Sequence, residues 1–177
     1  MRIIAGTLGA RTIYEPPGHK IHPMSEKIRG ALFNALGDIE GLTFLDAFAG
    51  SGALSFEAAS RGAKHVLAIE KDKSAQAVAE KNRRGLGLGK KVKIVHANSG
   101  GWSDRNVEKK FDIVLLDPPY DYLQSNLLQK LVKRHLKKNG LAVLSYPGHT
   151  PPLDFDELRV VANKNYGDAQ LIYYRKL

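Results

Sequence analysis

The sequence predicts an α/β fold built on a mostly parallel sheet. From residue 42 onward, short apolar segments alternate with segments whose apolar residues recur at helical spacing, which is typical of parallel strands joined by helices. A glycine-rich turn follows the first apolar segment, as in folds that bind a ligand at the carboxyl edge of the sheet. Beyond residue 152 two apolar segments flank a tight turn, so we expect an antiparallel hairpin at one edge.

The predicted elements follow in a regular order. Residues 1–24 predict a small hairpin and an extended continuation. Ser25 is a suitable N-cap for a helix over residues 26–36, which Gly37 ends. The remaining predictions are strands over 43–46, 65–70, 92–96, 111–117 and 140–146, helices from 54 to about 61, from 74 to about 86 and over 123–136, and a hairpin with strands over 158–162 and 169–174. We expect a single domain made of an extension (1–24), a leading helix (25–40) and a core (41–177).

The composition favours a globular protein with a polyanionic partner. Lys and Arg number 27 against 18 Asp and Glu, giving a net charge of +9, although a merely solvated basic surface explains the same excess. The chain has no cysteine and no histidine pair at metal-ligand spacing, so we expect no disulfide and no metal. No apolar run has the length of a membrane span, and the first residues do not resemble a secretory signal, so we expect a cytoplasmic protein.

The turn after the first strand predicts a nucleotide-type ligand. Asp46 ends the strand, and Gly50 and Gly52 permit positive φ angles and close approach of the backbone. Ser55 stands where a dinucleotide fingerprint needs its third glycine, and no Walker motif follows, which disfavours a pyrophosphate. An acid before such a turn suits a cationic ligand such as S-adenosylmethionine, whose carboxylate can lie at the helix N-terminus. On this motif alone, a glycine turn without a ligand is an equal alternative.

Two polar residues follow the next strands. Glu70 ends the second strand and suits the two ribose hydroxyls of a nucleoside, because a carboxylate accepts from both. Asn98 follows the third strand and suits the adenine amino group. A solvated strand end explains Glu70 equally well, and a simple turn explains Asn98 slightly better.

The segment Asp117-Pro118-Pro119-Tyr120 is the strongest catalytic signal. The prolines stop the strand ladder and leave the Pro118 carbonyl without a ladder partner. Asp117 and this carbonyl are two acceptors beside an aromatic ring, which suits the exocyclic amino group of a base stacked on Tyr120. A proline-rich strand end with a capping Asp is the bland alternative. The catalytic interpretation is favoured because the motif shares an edge with the glycine turn.

With these motifs the chain resembles the class I S-adenosylmethionine-dependent methyltransferases that act on amino groups. More closely, it is similar to the bacterial small-subunit (16S) ribosomal RNA guanine-N2 methyltransferase family. The segments that carry the similarity are 2–6, 32–36, 46–53, 57–63 and 117–120. The resemblance implies a seven-stranded Rossmann-like sheet, S-adenosyl-L-methionine over the glycine turn, and an N-terminal extension that helps to bind RNA.

The resemblance also assigns roles to individual residues. The cofactor contacts that it implies are Asp46, Phe48, Gly50, Gly52, Glu70 and Asn98, and the guanine contacts are Asp117, Pro118 and Tyr120. For RNA binding we favour the basic residues of the extension and leading helix, namely Arg2, Arg11, Lys20, Lys27 and Arg29. We interpret the basic runs over 81–93 and 133–138 mainly as solvated faces. Three places depart from the family pattern: residues 22–24, residues 30–31 and Asn98.

The sequence therefore predicts an enzyme that methylates the N2 amino group of a guanine in 16S ribosomal RNA, as naked RNA or in an assembling small subunit. We expect a monomer that binds neither membrane nor metal. One alternative keeps the chemistry and changes the acceptor to adenine N6 in DNA or glutamine N5 in a protein; the amide acceptor usually goes with Asn at position 117. Another alternative is an inactive RNA-binding module with the same fold, against which the intact motifs argue.

Overall fold

The computed structural model describes residues 1–18 and 23–177 and contains a seven-stranded sheet with helices on both faces. The strands are β1 (Thr43–Asp46), β2 (His65–Glu70), β3 (Val92–His96), β4 (Phe111–Leu116), β5 (Leu136–Pro147), β6 (Leu158–Asn165) and β7 (Ala169–Lys176). The helices are α1 (Glu26–Leu36), α2 (Ala53–Ser60), α3 (Lys73–Gly85), α4 (Ser99–Arg105) and α5 (Ser125–His135).

The strand order is β3-β2-β1-β4-β5-β7-β6. The first five strands in this order are parallel to one another, and β7 runs antiparallel to both β5 and β6. The α/β fold with an antiparallel C-terminal hairpin is therefore confirmed. The order reverses between β1 and β4, and a ligand of such a sheet binds at the carboxyl ends of the strands at that point.

The core has two layers, because alternate residues of each strand point to opposite faces. Phe44 and Leu115 belong to the layer that contains α1, α2 and α3. Leu45 and Leu116 belong to the layer that contains α4 and α5. Burial on both faces explains why β4 is apolar along almost its whole length.

The structure differs most from the sequence prediction at α4 and at the start of β5. Helix α4 was not predicted, because Gly100 and Gly101 lower helix propensity; Asn98 caps it and the buried Trp102 anchors it. Strand β5 begins at Leu136, directly after α5, instead of at residue 140. The predicted N-terminal hairpin is present: Arg2 and Thr12 form an antiparallel bridge, and the N–H groups of Ile3 and Ile13 donate to the carbonyls of Arg11 and Met1, each at 2.9 Å.

The N-terminal hairpin packs on α2. The backbone N–H groups of Ile4 and Ala5 donate to the carboxylate of Glu57, at 2.9 and 3.2 Å. The Thr7 N–H donates to the carbonyl of Ser60 at 2.8 Å. These bonds satisfy backbone groups that are not paired within the hairpin. No helix in the described part of the chain is long and apolar enough to cross a membrane.

Candidate active site

The carboxyl ends of β1, β2 and β4 meet at one edge of the sheet. Asp46, the last residue of β1, is in register with Leu115 of β4, two residues before Asp117. The Lys71 ammonium lies 5.8 Å from the centre of the Tyr122 ring, so the loops that follow β2 and β4 approach each other. The glycine turn and the Asp117–Tyr120 segment therefore share one edge, as the sequence predicts.

The glycine turn has a backbone that only glycine adopts easily. Gly50 and Gly52 have φ angles of 56° and 88°. A Cβ atom at Gly52 would lie 2.5 Å from the ring of Phe56. The turn leads into α2, and no side chain caps that helix, so its first N–H groups face the turn without a side-chain acceptor. This geometry suits a ligand carboxylate at the helix N-terminus.

Asp46 lies beneath the turn and is 0% exposed. One carboxylate oxygen accepts from the Ser55 hydroxyl at 2.7 Å, and the other has no hydrogen-bond partner among the described residues. Burial raises the pKa of Asp46 to about 7; the Ser55 hydroxyl and the Phe48 backbone N–H oppose this rise, and the nearby carboxylates of Asp117 and Glu70 add to it. An uncompensated buried acid is costly, and a cationic ligand would relieve that cost. The buried carboxylate of Asp46 therefore fits a positively charged ligand such as S-adenosylmethionine.

Glu70 connects the end of β2 to the glycine turn. One oxygen accepts from the Gly50 N–H at 2.7 Å and the other from the Asp72 N–H at 2.8 Å. Each oxygen retains a second lone pair, which is what two ribose hydroxyls require. Phe48 is partly buried against the α4 and α5 layer, beside the same turn.

Asn98 is the N-cap of α4. Its side-chain oxygen accepts from the N–H groups of Gly100 and Gly101, at 2.9 and 3.3 Å. That oxygen is the acceptor that an adenine amino group would need. The prediction of a turn at Asn98 therefore agrees better with the structure than the prediction of an adenine contact, and a helix follows that turn.

The Asp117–Tyr120 segment is held in place by β5. The Tyr120 hydroxyl lies 2.6 Å from the Ser145 hydroxyl, and its residue remains 37% exposed. Burial raises the pKa of Asp117 to about 6, and a hydrogen bond with Ser145 opposes the rise. One hydroxyl can accept from Tyr120 and donate to Asp117, so Ser145 orients both residues. Pro118 between them is buried.

Sequence reasoning did not identify Ser145. It is a single hydroxyl in the otherwise apolar centre of β5, and it is only 5% exposed. A lone polar residue inside a buried strand next to β4 was the available signal.

The predicted RNA-binding residues do not form one group. Arg2 is exposed and pairs with Glu26 at 3.5 Å, Lys27 is exposed, and Arg11 donates to the carbonyl of Gly85 at 3.0 Å. Lys20 and His22 lie outside the described residues.

The prediction for Arg29 is wrong. Its side chain is 0% exposed, lies 3.7 Å from Glu57 and donates to the carbonyl of Arg2. A guanidinium that is enclosed in this way cannot reach a phosphate. Among residues 1–18 and 23–177, no group of three or more His, Asp or Glu side chains could hold a metal ion.

Comparisons with known proteins identify the family of the chain. The family model described as conserved hypothetical protein 95 matches residues 1–175. Ribosomal RNA small subunit methyltransferase D of Buchnera aphidicola is 34% identical over 144 residues, covering 78% of this chain and 73% of that protein. The protein of the same name from Haemophilus influenzae is 29% identical and covers 99% and 92% of the two chains.

Solved structures give the same result for the fold. The yhhF protein of Escherichia coli superimposes with a TM-score of 0.88 at 28% identity, over 99% of this chain and 97% of that one. The chain therefore belongs to the family described as conserved hypothetical protein 95 and, with it, to the methyltransferases similar to ribosomal RNA small subunit methyltransferase D.

Proposed function

We propose that the protein uses S-adenosylmethionine to methylate the exocyclic N2 amino group of a guanine in 16S ribosomal RNA. The observation that carries this proposal is the placement of the glycine turn and the Asp117–Tyr120 segment on the neighbouring strands β1 and β4. The names of the Buchnera and Haemophilus relatives support a small-subunit RNA substrate. The net charge of +9 supports a polyanionic one.

The residues of the turn have distinct tasks in cofactor binding. The N–H groups at the start of α2 would hold the ligand carboxylate, and Asp46 would stabilise its positive charges. Glu70 would accept from the ribose hydroxyls. When bound, S-adenosylmethionine supplies an electrophilic methyl group.

The Asp117–Tyr120 segment would hold the amine. The Asp117 carboxylate and the Pro118 carbonyl accept its two N–H groups, which increases the availability of the nitrogen lone pair. Tyr120 stacks on the base and fixes its distance from the methyl group. The guanine must leave its stack to reach them, at a cost of a few kcal/mol unless the RNA presents it unpaired. With its pKa near 6, Asp117 is mostly ionised at pH 7 and can act as the acceptor.

Methyl transfer from radiolabelled S-adenosylmethionine tests this proposal. The substrates are naked small-subunit RNA and small-subunit particles, and nucleoside analysis of the product should give N2-methylguanosine. We expect Asp117→Ala to reduce the rate by about 100-fold or more, because it removes a group aimed at the reacting amine. Its affinity for S-adenosylmethionine in calorimetry should change by less than about threefold, because other residues would bind the cofactor.

The other outcomes distinguish the alternatives. Methyl transfer to the adenine of DNA or to the glutamine of a protein, each offered in place of RNA, would move the proposal to a different acceptor. Binding of RNA without any heat from S-adenosylmethionine would identify an inactive binding module. A rate for Asp117→Ala equal to that of the wild type would contradict the role of Asp117.

A further inference from the structure

Helix α3 carries a row of cations on one exposed face. Lys73, Lys81 and Arg84 are eight and three residues apart, which places them on the same side of a helix, since 3.6 residues make one turn. The row is roughly 16 Å long at 1.5 Å per residue. All three residues are exposed. Lys81 and Arg84 belong to the basic run that we interpreted from the sequence as a solvated face.

Tyr14 lies against the middle of this row. Its residue is 57% exposed, and the Lys81 ammonium lies 3.9 Å from the centre of its ring. The main chain of Tyr14 makes two hydrogen bonds with Asn82, at 2.8 Å from its N–H and at 3.0 Å to its carbonyl. The backbone is therefore fixed by a buried side chain while the ring remains available to a ligand.

The N-terminal segment follows α3 toward the active-site edge. Arg11 donates to the carbonyl of Gly85, the last residue of the helix, and Tyr14 contacts Asn82 one turn earlier. Asn82 also donates to the carbonyl of Ser51 in the glycine turn, at 3.2 Å. Asn82 therefore joins the main chain of Tyr14 to the main chain of the glycine turn.

The positive charge of this surface is not neutralised by the described residues. Within residues 1–18 and 23–177, none of Arg11, Lys73, Lys81 and Arg84 forms an ion pair. The neighbouring acids have other partners: Glu15 lies 3.6 Å from the N-terminal amino group, and Glu80 lies 2.9 Å from Arg83. Asp72 accepts from the Ala75 N–H as the helix cap.

We propose that Tyr14, Lys73, Lys81 and Arg84, together with Arg11, form a docking surface for a single RNA strand next to the target nucleotide. This inference rests on the proposed function. The cations contact phosphates, and Tyr14 stacks on a base. An exposed aromatic ring beside a row of unpaired cations is the combination that proteins use to bind single strands without reading the sequence.

Fluorescence anisotropy with a labelled 20-nucleotide poly(U) strand measures this binding directly. Tyr14→Ala should weaken it about 5- to 100-fold, the range expected for one stacked base, and Tyr14→Phe should stay within about twofold. Lys81→Ala should reduce the slope of log K against log salt by about 0.7, the value for one phosphate on a single strand. The matched control is Lys164→Ala on β6, an exposed lysine at the opposite edge of the sheet, and it should leave both quantities unchanged.

These substitutions should not disturb the fold, because Asn82 binds the main chain of Tyr14 and Lys81 is exposed. Thermal unfolding and S-adenosylmethionine affinity equal to those of the wild type verify this. If Tyr14→Ala and Lys81→Ala bind poly(U) as tightly as Lys164→Ala, the docking surface is wrong. Equal losses in Tyr14→Phe and Tyr14→Ala would also contradict the stacking role.

Methyl transfer to small-subunit RNA separates this inference from the proposed function. If the wild type methylates that RNA while the Tyr14 and Lys81 variants keep its RNA KM, the function stands and the surface fails. If poly(U) binding depends on Tyr14 and Lys81 but no guanine is methylated, the surface stands and the function fails.

Discussion

The buried carboxylates of Glu57 and Asp46 lie in the same region of the molecule but differ in their hydrogen-bond and ion-pair partners. Glu57 accepts from two backbone N–H groups and from Arg61 at 2.8 Å, and it pairs with Arg29 at 3.7 Å. Asp46 has one hydroxyl partner and one oxygen without any among the described residues. A buried acid with all its partners in its own chain stabilises the fold, whereas one that lacks a partner is a candidate for binding something else.

The largest expected effect is the loss of Glu57. Glu57→Ala leaves the guanidinium of Arg29 buried without its nearest counter-charge and removes the acceptor of the Ile4 and Ala5 N–H groups. We expect the free energy of unfolding to fall by about 3–5 kcal/mol in denaturant titration. Glu57→Gln keeps one acceptor and should lose less. A loss below about 1 kcal/mol for Glu57→Ala would mean that the N-terminal segment is not held by this cluster.

Asp46→Asn, in contrast, should weaken ligand binding without the large loss of stability expected for Glu57→Ala. We expect S-adenosylmethionine to bind about 10- to 100-fold more weakly in calorimetry, because the charge facing the ligand is gone. The exposed carboxylate of Asp156 gives the matched control, and Asp156→Asn should leave the affinity unchanged. Equal affinities for Asp46→Asn and the wild type would remove Asp46 from the cofactor site.

The stability of Asp46→Asn should depend on pH with a defined sign. Folding raises the pKa of this carboxyl from its ordinary 3.8 to about 7, so the folded protein retains the proton longer than the unfolded chain. Between these pH values the wild type loses stability as the pH rises, whereas the variant does not titrate here. Its stability relative to the wild type should therefore increase from pH 4 to pH 8, by at most about 4 kcal/mol. A constant difference in thermal unfolding across this range would contradict the raised pKa.

Ser145→Ala tests the other acid at the site. The change removes the hydrogen bond that opposes the raised pKa of Asp117, so that pKa should rise above about 6. We expect the pH profile of kcat to move to higher pH and kcat at pH 7 to fall about tenfold, with unchanged S-adenosylmethionine affinity. Tyr120→Phe retains Ser145 and should move the profile less. An unshifted profile in Ser145→Ala would exclude Ser145 as a positioning residue.

The smallest effect belongs to Asn98. Asn98→Ala removes the cap of α4 and should cost about 1 kcal/mol of stability. Asn98→Asp keeps an acceptor for the Gly100 and Gly101 N–H groups and should restore it. Affinity for S-adenosylmethionine that falls more than about tenfold in Asn98→Ala would assign this residue to adenine recognition instead.

The comparison also explains what the sequence could predict. The glycine turn and the Asp117–Tyr120 segment are local signals, because consecutive residues determine both the positive φ angles and the proline geometry. Their common edge follows from the alternation of strands and helices. The partner of a charged side chain is not local. In the sequence Arg29 cannot be distinguished from other basic residues, because only the fold places Glu57 of α2 beside it. Ser145 likewise gains its partners only when β5 pairs with β4.

Helix α4 was missed for a related reason. Its sequence, Ser-Gly-Gly-Trp-Ser-Asp-Arg, has little intrinsic helix propensity. It forms because Trp102 and Ser103 are buried against the sheet and α5, which only the folded chain provides. The N-terminal hairpin was predicted from its own residues, but its packing on α2 was not, because Ser60 accepts from it only in the folded chain.

The three hydrogen bonds of Asn82 make position 82 intolerant of any other amino acid. Its amide nitrogen donates to the carbonyls of Tyr14 and Ser51, and its oxygen accepts from the Tyr14 N–H. Aspartate lacks the two donors, glutamine is one methylene too long, and leucine of similar volume satisfies none of the three main-chain groups. A redesign of α3 must therefore keep this asparagine, because its loss removes the hydrogen bonds that join Tyr14 to the glycine turn.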